Sequence, residues 1–157
     1  MTLDIQGWVE ILRRPPRPDQ APFWIPHIKL HYVMPYHDLL VAVLFGWPST
    51  RHWTPVAELR GLPPAPSWEV EQSEGAWGHT WIGWDEIQAI PDRLPIPGLV
   101  QPAPDAAAAP TDQPTAAESI PPWRDQIGVW SDLFAMMDIL GQRYGPDRVR
   151  LVVWFDN

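Results

Sequence analysis

Proline clusters divide this chain into short segments, and they restrict its possible folds more than any other feature of the sequence. The sequence holds 21 prolines, and a proline inside a helix or a central strand removes a backbone hydrogen-bond donor. Four of them fall within Arg13–Pro22 (RRPPRPDQAP), so this segment is expected to be an exposed loop. Regular elements can therefore form only in the stretches between such clusters.

Several of these stretches alternate between apolar and polar residues, which is the pattern of a β-strand with one buried face. The predicted strands are Asp4–Leu12, Trp24–Val33 and Arg148–Asp156, together with a hairpin formed by Trp68–Gln72 and Gly78–Ile82. Pro26 lies inside the second segment and either places it at an edge of the sheet or delays its start. The last strand has apolar residues on both faces, so the sheet should be covered fully on one side and partly on the other.

Other stretches follow helical spacing and carry helix start and stop signals. His37–Phe45 ends at a Gly-Trp-Pro stop, Thr54-Pro55 begins one or two helical turns, and Gly83 caps a short helix that ends near Ile90. The longest predicted helix is Pro122–Tyr144, which has a broad apolar stripe. The residues of this stripe recur every three or four positions and are Trp123, Ile127, Trp130, Phe134 and Met137.

Together these elements predict a single α+β domain, as expected for a chain of 157 residues. We expect an antiparallel sheet of four to five strands, with the long C-terminal helix packed on one face and short helices around it. The segment Gln101–Ser119 is rich in proline and alanine and lacks aromatic residues, so it cannot bury enough apolar surface to offset chain entropy. This segment is predicted to be a flexible insertion within the domain.

Charge and composition argue against several classes of protein. The chain has 11 Lys and Arg against 19 Asp and Glu, a formal net charge of -8, and no cysteine. A protein that neutralises phosphates needs a basic face, so nucleic acid is not an expected partner. The lack of cysteine excludes disulfides, zinc-thiolate sites and thiol nucleophiles. The sequence shows neither a signal-peptide pattern nor an apolar run of about 18 residues, which favours a cytoplasmic protein without a membrane partner.

Five stretches of the chain carry a shared family pattern. They are Asp4–Glu10 (DIQGWVE), Tyr36–Gly46 (YHDLLVAVLFG), Arg60–Pro63 (RGLP), His79–Trp81 (HTW) and Val149–Asn157 (VRLVVWFDN). In this pattern the chain resembles a group of small uncharacterised proteins encoded by phages and prophages. The resemblance implies a phage-type accessory protein that acts in the bacterial cytoplasm, and it implies no established activity. The chain departs from the group at Gln6, where the group has histidine, and at Gly78, where the group has an acidic residue.

His79 is the leading candidate for chemistry, because it lies in a short predicted strand close in sequence to acidic residues. A general base needs a carboxylate within hydrogen-bond reach to orient it. Asp4, Glu10 and Asp156 lie on the polar faces of the first and last strands, and they would meet His79 if those strands neighbour the hairpin. This arrangement would suit a small hydrolase, with or without a divalent metal. Alternatively, Asp4 and Asp156 only terminate their strands.

Tryptophan is unusually frequent, with 11 residues in the chain, and each indole either fills a core or forms part of a binding surface. Trp77, Trp81 and Trp84 are close together in the sequence, and in a regular strand Trp77, His79 and Trp81 share a face. Such a face would stack on a planar ligand, including a nucleobase, or dock a partner protein. The alternative is that this is the core face and the indoles are packed inside.

Two classes of function are consistent with these patterns. The first is a non-enzymatic accessory protein that binds a host protein or a small nucleotide-like ligand through Trp77, His79, Trp81 and Trp84. The second is the small hydrolase built on His79 and a carboxylate. The chain has no G-x-S-x-G, P-loop or G-x-G-x-x-G motif, so the binding class is favoured and no cofactor or metal site is predicted.

Overall fold

The computed structural model of the protein describes residues 4–30, 35–46, 54–58, 60–73, 76–94 and 122–156. The predicted flexible insertion, Gln101–Ser119, lies outside these residues. The strands are β1 (Asp4–Arg13), β2 (Phe23–Lys29), β3 (Trp77–Gly83) and β4 (Val149–Asp156). The α-helices are α1 (Asp38–Phe45), α2 (Trp68–Glu71), α3 (Trp84–Ala89) and α4 (Trp130–Tyr144), and short 3₁₀ helices at Trp123–Gln126 and Pro146–Arg148 precede α4 and β4.

The four strands form one open antiparallel sheet in the order β2-β1-β4-β3. The predicted α+β architecture, with a long C-terminal helix and short helices around the sheet, is confirmed. The central pair joins β1 to β4, which are far apart in the chain, with Ile5 opposite Phe155. Pro26 lies in the edge strand β2, as predicted. That strand ends at Lys29, whereas the predicted strand continued to Val33, which lies outside the described residues.

One face of the sheet carries the main hydrophobic core. The buried residues that β1 and β4 contribute to it are Ile5, Val9, Ile11, Val149, Leu151, Val153 and Phe155. Helix α4 packs on this face, and the predicted apolar stripe from Trp123 to Met137 is buried there. Helices α1 and α3 complete the same core through residues such as Leu40, Leu44 and Ile87. This face therefore holds most of the apolar burial that stabilises the fold.

Hydrogen bonds confirm two of the predicted helix starts. At α1 the His37 side chain accepts a hydrogen bond through Nδ1 from the backbone N–H of Leu40, at 3.4 Å. At α3 the backbone N–H of Gly83 donates to Glu86 Oε2 at 2.9 Å. Each of these bonds satisfies a polar group at a helix N-terminus, which is what a capping residue supplies.

The predicted continuous helix over Pro122–Tyr144 is wrong at its N-terminal end. Residues Trp123–Gln126 form a 3₁₀ turn, and the α-helix begins only at Trp130. Between them Gly128 has a φ of 57°, a left-handed conformation that glycine adopts readily and that interrupts a right-handed helix. The residues of the predicted apolar stripe are nevertheless buried in both pieces.

The predicted hairpin is also wrong in its first arm. Residues Trp68–Glu71 form the helical turn α2 instead of a strand, and only Gly78–Ile82, within β3, joins the sheet. The side chain of Ser67 accepts a hydrogen bond from the backbone N–H of Val70, so Ser67 acts as an N-cap directly after a proline-rich loop. In this turn Val70 is buried while Trp68 is exposed, whereas a strand would place both side chains on one face.

The one or two helical turns predicted after Thr54 reduce to a turn over 56–58 in the described chain. Tertiary hydrogen bonds hold this turn. The backbone N–H of Ala57 donates to Leu44 O at 3.0 Å, and the Thr80 hydroxyl donates to Ala57 O at 2.6 Å. These bonds to α1 and β3 replace the bonds that a helix would make within itself.

Candidate functional site

An extra residue in β3 changes which face of the sheet its aromatic residues occupy. Trp77 pairs with Phe155, but Thr80 pairs with Val153, so one more residue lies on β3 than on β4 between these two points. Gly78 lies in this β-bulge with a φ of 68°. Directly opposed residues in an antiparallel sheet share a face, so Trp77 lies on the face of Phe155, the main core face.

The prediction that Trp77, His79 and Trp81 share one face is therefore wrong for Trp77. Trp77 is 43% exposed and its ring lies 5.5 Å from the ring of Phe155, at the rim of the main core. His79 and Trp81 lie on the opposite face, where the His79 ring is 5.8 Å from the ring of Trp154. A one-residue bulge inverts the facing of every residue before it, which is why the alternating sequence pattern misplaced Trp77.

The bulge predicts a specific cost for a side chain at Gly78. We expect Gly78→Ala to lower the free energy of unfolding by more than Gly61→Ala does. Both glycines have a positive φ, for which an alanine costs about 1–2 kcal/mol. Only at Gly78 would the added Cβ lie 2.6 Å from Phe155 Cδ2, whereas at Gly61 nothing lies within 4 Å. Urea unfolding of both variants measures the difference, and equal losses would contradict this account of the bulge.

Trp84, the fourth residue of the predicted binding cluster, is part of the main core. It is 6% exposed, and its ring lies 5.8 Å from the ring of Phe134 on α4. Trp84 is therefore not on a surface shared with His79 and Trp81. Trp84 is the first residue of α3, which starts directly after β3. The helix directs the Trp84 side chain toward α4, so the ring packs inside.

His79 makes its side-chain contacts with Ser73 and Trp154. Its Nε2 lies 2.9 Å from Ser73 Oγ, and Ser73 Oγ in turn donates to the carbonyl oxygen of Val70 at 2.5 Å. The serine hydroxyl has a single proton, and that proton is used on Val70, so Nε2 of His79 must be the donor to Ser73. Burial lowers the pKa of His79 below its ordinary value, and a hydrogen bond to the Ser73 backbone opposes this shift.

Glu10, one of the three carboxylates predicted to orient His79, is held by another residue. Glu10 is fully buried and forms an ion pair with Arg150, with 2.6 Å between Glu10 Oε2 and Arg150 Nε. Asp4 is exposed, and its backbone pairs with that of Asp156 at the end of the β1–β4 ladder that lies near Trp154. Within the described residues, no group of three or more His, Asp or Glu side chains could hold a metal ion.

The second face of the sheet, opposite the main core, carries an open cleft that we call the Trp cleft. Its volume is about 740 Å³, within the range of ligand-binding pockets. The sheet contributes Gln6, Trp8, Lys29 and Trp154 to its lining, and α2 with the residues after it contributes Trp68, Glu69, Gln72, Ser73 and Ala76. Helix α2 sits over this face because its one buried side chain, Val70, packs on Val152 and Trp154.

Cations lie against two tryptophans of this second face. The Lys29 ammonium is 5.8 Å from the ring centre of Trp8, and the Arg60 guanidinium is 4.9 Å from that of Trp81. Arg60 also forms an ion pair with Glu86, at 2.7 Å between Nη2 and Oε1, which joins the Trp81 edge of the sheet to α3. Cation–π contacts of this kind hold indole rings in fixed orientations.

Sequence reasoning did not select Trp8, Trp68 or Trp154 for the site. The signal was present for two of them, because alternation places Trp8 and Trp154 on the outer faces of the first and last strands, among polar residues. Large aromatic residues at outward positions on two strands indicate a second, partly covered face. No comparable signal existed for Trp68, since it was assigned to a strand that does not form.

Comparison of the chain with protein-family models, with curated proteins and with solved structures gives no match. The Trp cleft is therefore supported by the residues of this chain alone. In the described part of the chain, every helix is too short or too polar to span a membrane.

Proposed function

We propose that this protein is a phage-type accessory protein that binds a small, planar, nucleotide-like ligand in the Trp cleft without chemically changing it. The predicted binding class is retained, but its site moves from the β3 cluster to the cleft on the second face. His79 and Trp81 lie next to the cleft: His79 contacts Ser73, and Trp81 packs against the cluster that contains Trp154. In the proposal they support these lining residues.

The observation that carries this proposal is the exposure of Trp68 beside two further indoles. Trp68 is 68% exposed, and it lines the same cleft as Trp8 and Trp154. An apolar side chain with this much exposed surface on a short helix contributes little to the stability of the fold. In a binding site, an exposed indole stacks on a planar ring. Stacking of a base on an aromatic side chain contributes about 1–3 kcal/mol.

The polar lining of the cleft suits the functional groups of a nucleotide. The side-chain amide of Gln72, in the lining of the cleft, carries both donor and acceptor groups, as the edge of a nucleobase requires. Among the described residues of the lining, Lys29 is the cation and Glu69 the anion. Lys29 lies beside Trp8, so a phosphate near it would leave the base over the indoles. A ligand with one flat aromatic part and one anionic part matches this arrangement.

The contacts of His79 favour binding over hydrolysis. A histidine that activates a serine accepts the hydroxyl proton, but the Ser73 proton is directed to the carbonyl of Val70. Glu10 is held by Arg150, so it does not orient the His79 ring. The hydrolase alternative would need a different arrangement of these groups.

The proposal predicts that Trp68→Ala weakens the binding of nucleoside monophosphates by about 5- to 150-fold, which corresponds to the loss of one stacked base. Titration calorimetry with AMP, GMP and UMP measures the dissociation constants. The matched control is Trp77→Ala, which removes an indole that is also partly exposed but lies on the opposite face. We expect this control to leave affinity unchanged.

Three outcomes of this titration would contradict the proposal. Equal losses in both variants would show that the cleft is not the site. Conversion of the nucleotide, detected by chromatography after the titration, would support the hydrolase class. If the intact protein bound none of the three nucleotides, the proposal of a small nucleotide-like ligand would be wrong. A host protein would then remain as the predicted binding partner.

A further inference from the structure

A buried ion pair connects the centre of the sheet to the loop that precedes α2. Glu10 on β1 and Arg150 on β4 are directly opposed in the sheet, and their side chains are 0% and 2% exposed. Besides its bond to Glu10, the Arg150 guanidinium donates to the carbonyl oxygens of Pro64 at 3.0 Å and Ala65 at 3.4 Å. The second oxygen of Glu10 accepts from the backbone N–H of Ser67 at 3.0 Å.

This loop needs external hydrogen bonds to keep its shape. Ala65 has a φ of 47°, a left-handed conformation that costs a residue with a Cβ about 1–2 kcal/mol. Its carbonyl oxygen is one of those that Arg150 binds. Strain of this kind persists where the surroundings hold the backbone in place, and here the holding group is the buried guanidinium.

The loop in turn positions one wall of the Trp cleft. It ends at Ser67, which caps α2, and α2 places Trp68 and Glu69 in the cleft. Because α2 has only four residues, it is too short to be stable as an isolated helix. Its location therefore depends on the packing of Val70 and on the bonds from Glu10 and Arg150 to the loop.

We propose that Glu10 and Arg150 are positioning residues for the Trp68 wall of the cleft. The pair acts through the 64–67 loop and does not line the cleft itself. The contribution of this pair to ligand affinity rests on the proposed function, whereas its control of α2 does not. Arg150 also contacts Trp24 on the edge strand, with its guanidinium 3.8 Å from the ring centre of Trp24. This contact fixes the guanidinium plane between the edge strand and the loop.

The first test replaces Arg150 with lysine. Arg150→Lys keeps a cation for Glu10 but loses the forked donors that reach Pro64 and Ala65. The amides that report on α2 are those hydrogen-bonded within it or to its cap, which belong to Val70, Glu71, Gln72 and Ser73. We expect their hydrogen exchange, called α2 exchange below, to accelerate by at least about tenfold, while the amides of β1 and β4 change less. Arg60→Lys is the matched control, since Arg60 binds Glu86 and Val56 and makes no contact with this loop.

The second test removes the N–H of the loop that donates to Glu10 and keeps both charges of the ion pair. The φ of Ser67 is -64°, which proline can adopt, so Ser67→Pro deletes this N–H, and the proline Cδ that replaces its hydrogen also displaces the Glu10 carboxylate from the loop. Ser67→Ala is its control, because it removes the same capping hydroxyl and keeps the N–H. We expect faster α2 exchange and weaker AMP binding in Ser67→Pro than in Ser67→Ala.

The outcomes separate the two proposals. Faster α2 exchange in Arg150→Lys and Ser67→Pro than in their controls supports the positioning role, whether or not AMP binds the intact protein. Equal α2 exchange in Ser67→Pro and Ser67→Ala overturns it, and this pair decides the question if Arg150→Lys does not fold. Binding of AMP by the intact protein, with the same affinity in Ser67→Pro and Ser67→Ala, would overturn the link between the ion pair and the cleft.

Discussion

Glu10→Gln is expected to lower the free energy of unfolding by about 3–5 kcal/mol, because it leaves the buried Arg150 guanidinium without a counter-charge. Both side chains are almost fully removed from solvent, and their two charged atoms lie 2.6 Å apart. Water cannot compensate the lost carboxylate at this depth. Urea unfolding followed by circular dichroism measures the change.

The control for this prediction is Glu86→Gln in the pair with Arg60. That pair has a similar distance, but its side chains are 25% and 32% exposed. Partly solvated pairs contribute about 0–1 kcal/mol, so the expected loss is correspondingly small. Similar losses in the two variants would show that burial does not decide the strength of the Glu10–Arg150 pair.

Phe134→Ala is expected to lower the free energy of unfolding by about 3–5 kcal/mol, as for other buried aromatic residues. Phe134 lies on the sheet-facing side of α4, with its ring 5.8 Å from that of Trp84 and 6.0 Å from that of Trp123. Removing it opens a cavity at the point where α3, α4 and the preceding 3₁₀ turn meet.

Asp132→Ala, two residues earlier on the exposed side of the same helix, is the matched control. An acidic residue in the first turn of a helix contributes about 0.3–1 kcal/mol, so the expected loss is under about 1 kcal/mol. Both variants are measured by the same urea titration. Equal effects at the two positions would place the apolar stripe on a surface rather than against the sheet.

Local patterns predicted most of the regular elements. Alternation identified β1, because one of its faces is fully buried and the other is only partly covered. It also identified β4, although the described side chains of β4 are buried on both faces. Proline placed β2 at an edge, since its missing N–H is tolerated there. The capping signal at Gly83 located the start of α3, where the observed bond to Glu86 is the one that the sequence predicts. Helix α1 was located by its apolar spacing and by the stop at Gly46, which is its observed C-cap.

The errors arose where one residue changes the meaning of a pattern. The positive φ of Gly78 creates a bulge that moves Trp77 to the other face, and the positive φ of Gly128 delays the start of α4. Ser67 converts an alternating stretch into a helical turn. Glycine and serine are compatible with several local structures, so the choice among them depends on tertiary contacts.

The candidate site was less predictable than the fold, because its groups come from distant parts of the chain. Trp8 and Trp154 meet through the β1–β4 pairing, and Trp68 joins them only through α2. The pairing of Glu10 with Arg150 likewise joins residues near opposite ends of the chain, and neither residue carries a motif. Such long-range pairs follow from sheet order, which alternation alone does not specify.

The most direct test of the central claim, that the Trp cleft is a ligand-binding site, follows the indole N–H signals during a titration with AMP. Nuclear magnetic resonance resolves these signals, and Trp→Phe substitutions assign them. The account predicts saturable shifts for Trp8, Trp68 and Trp154. It predicts little change for the buried Trp123 and Trp130, whose indole N–H groups donate to backbone carbonyls within the protein. Shifts confined to Trp77, or no saturable shift at any cleft indole, would contradict it.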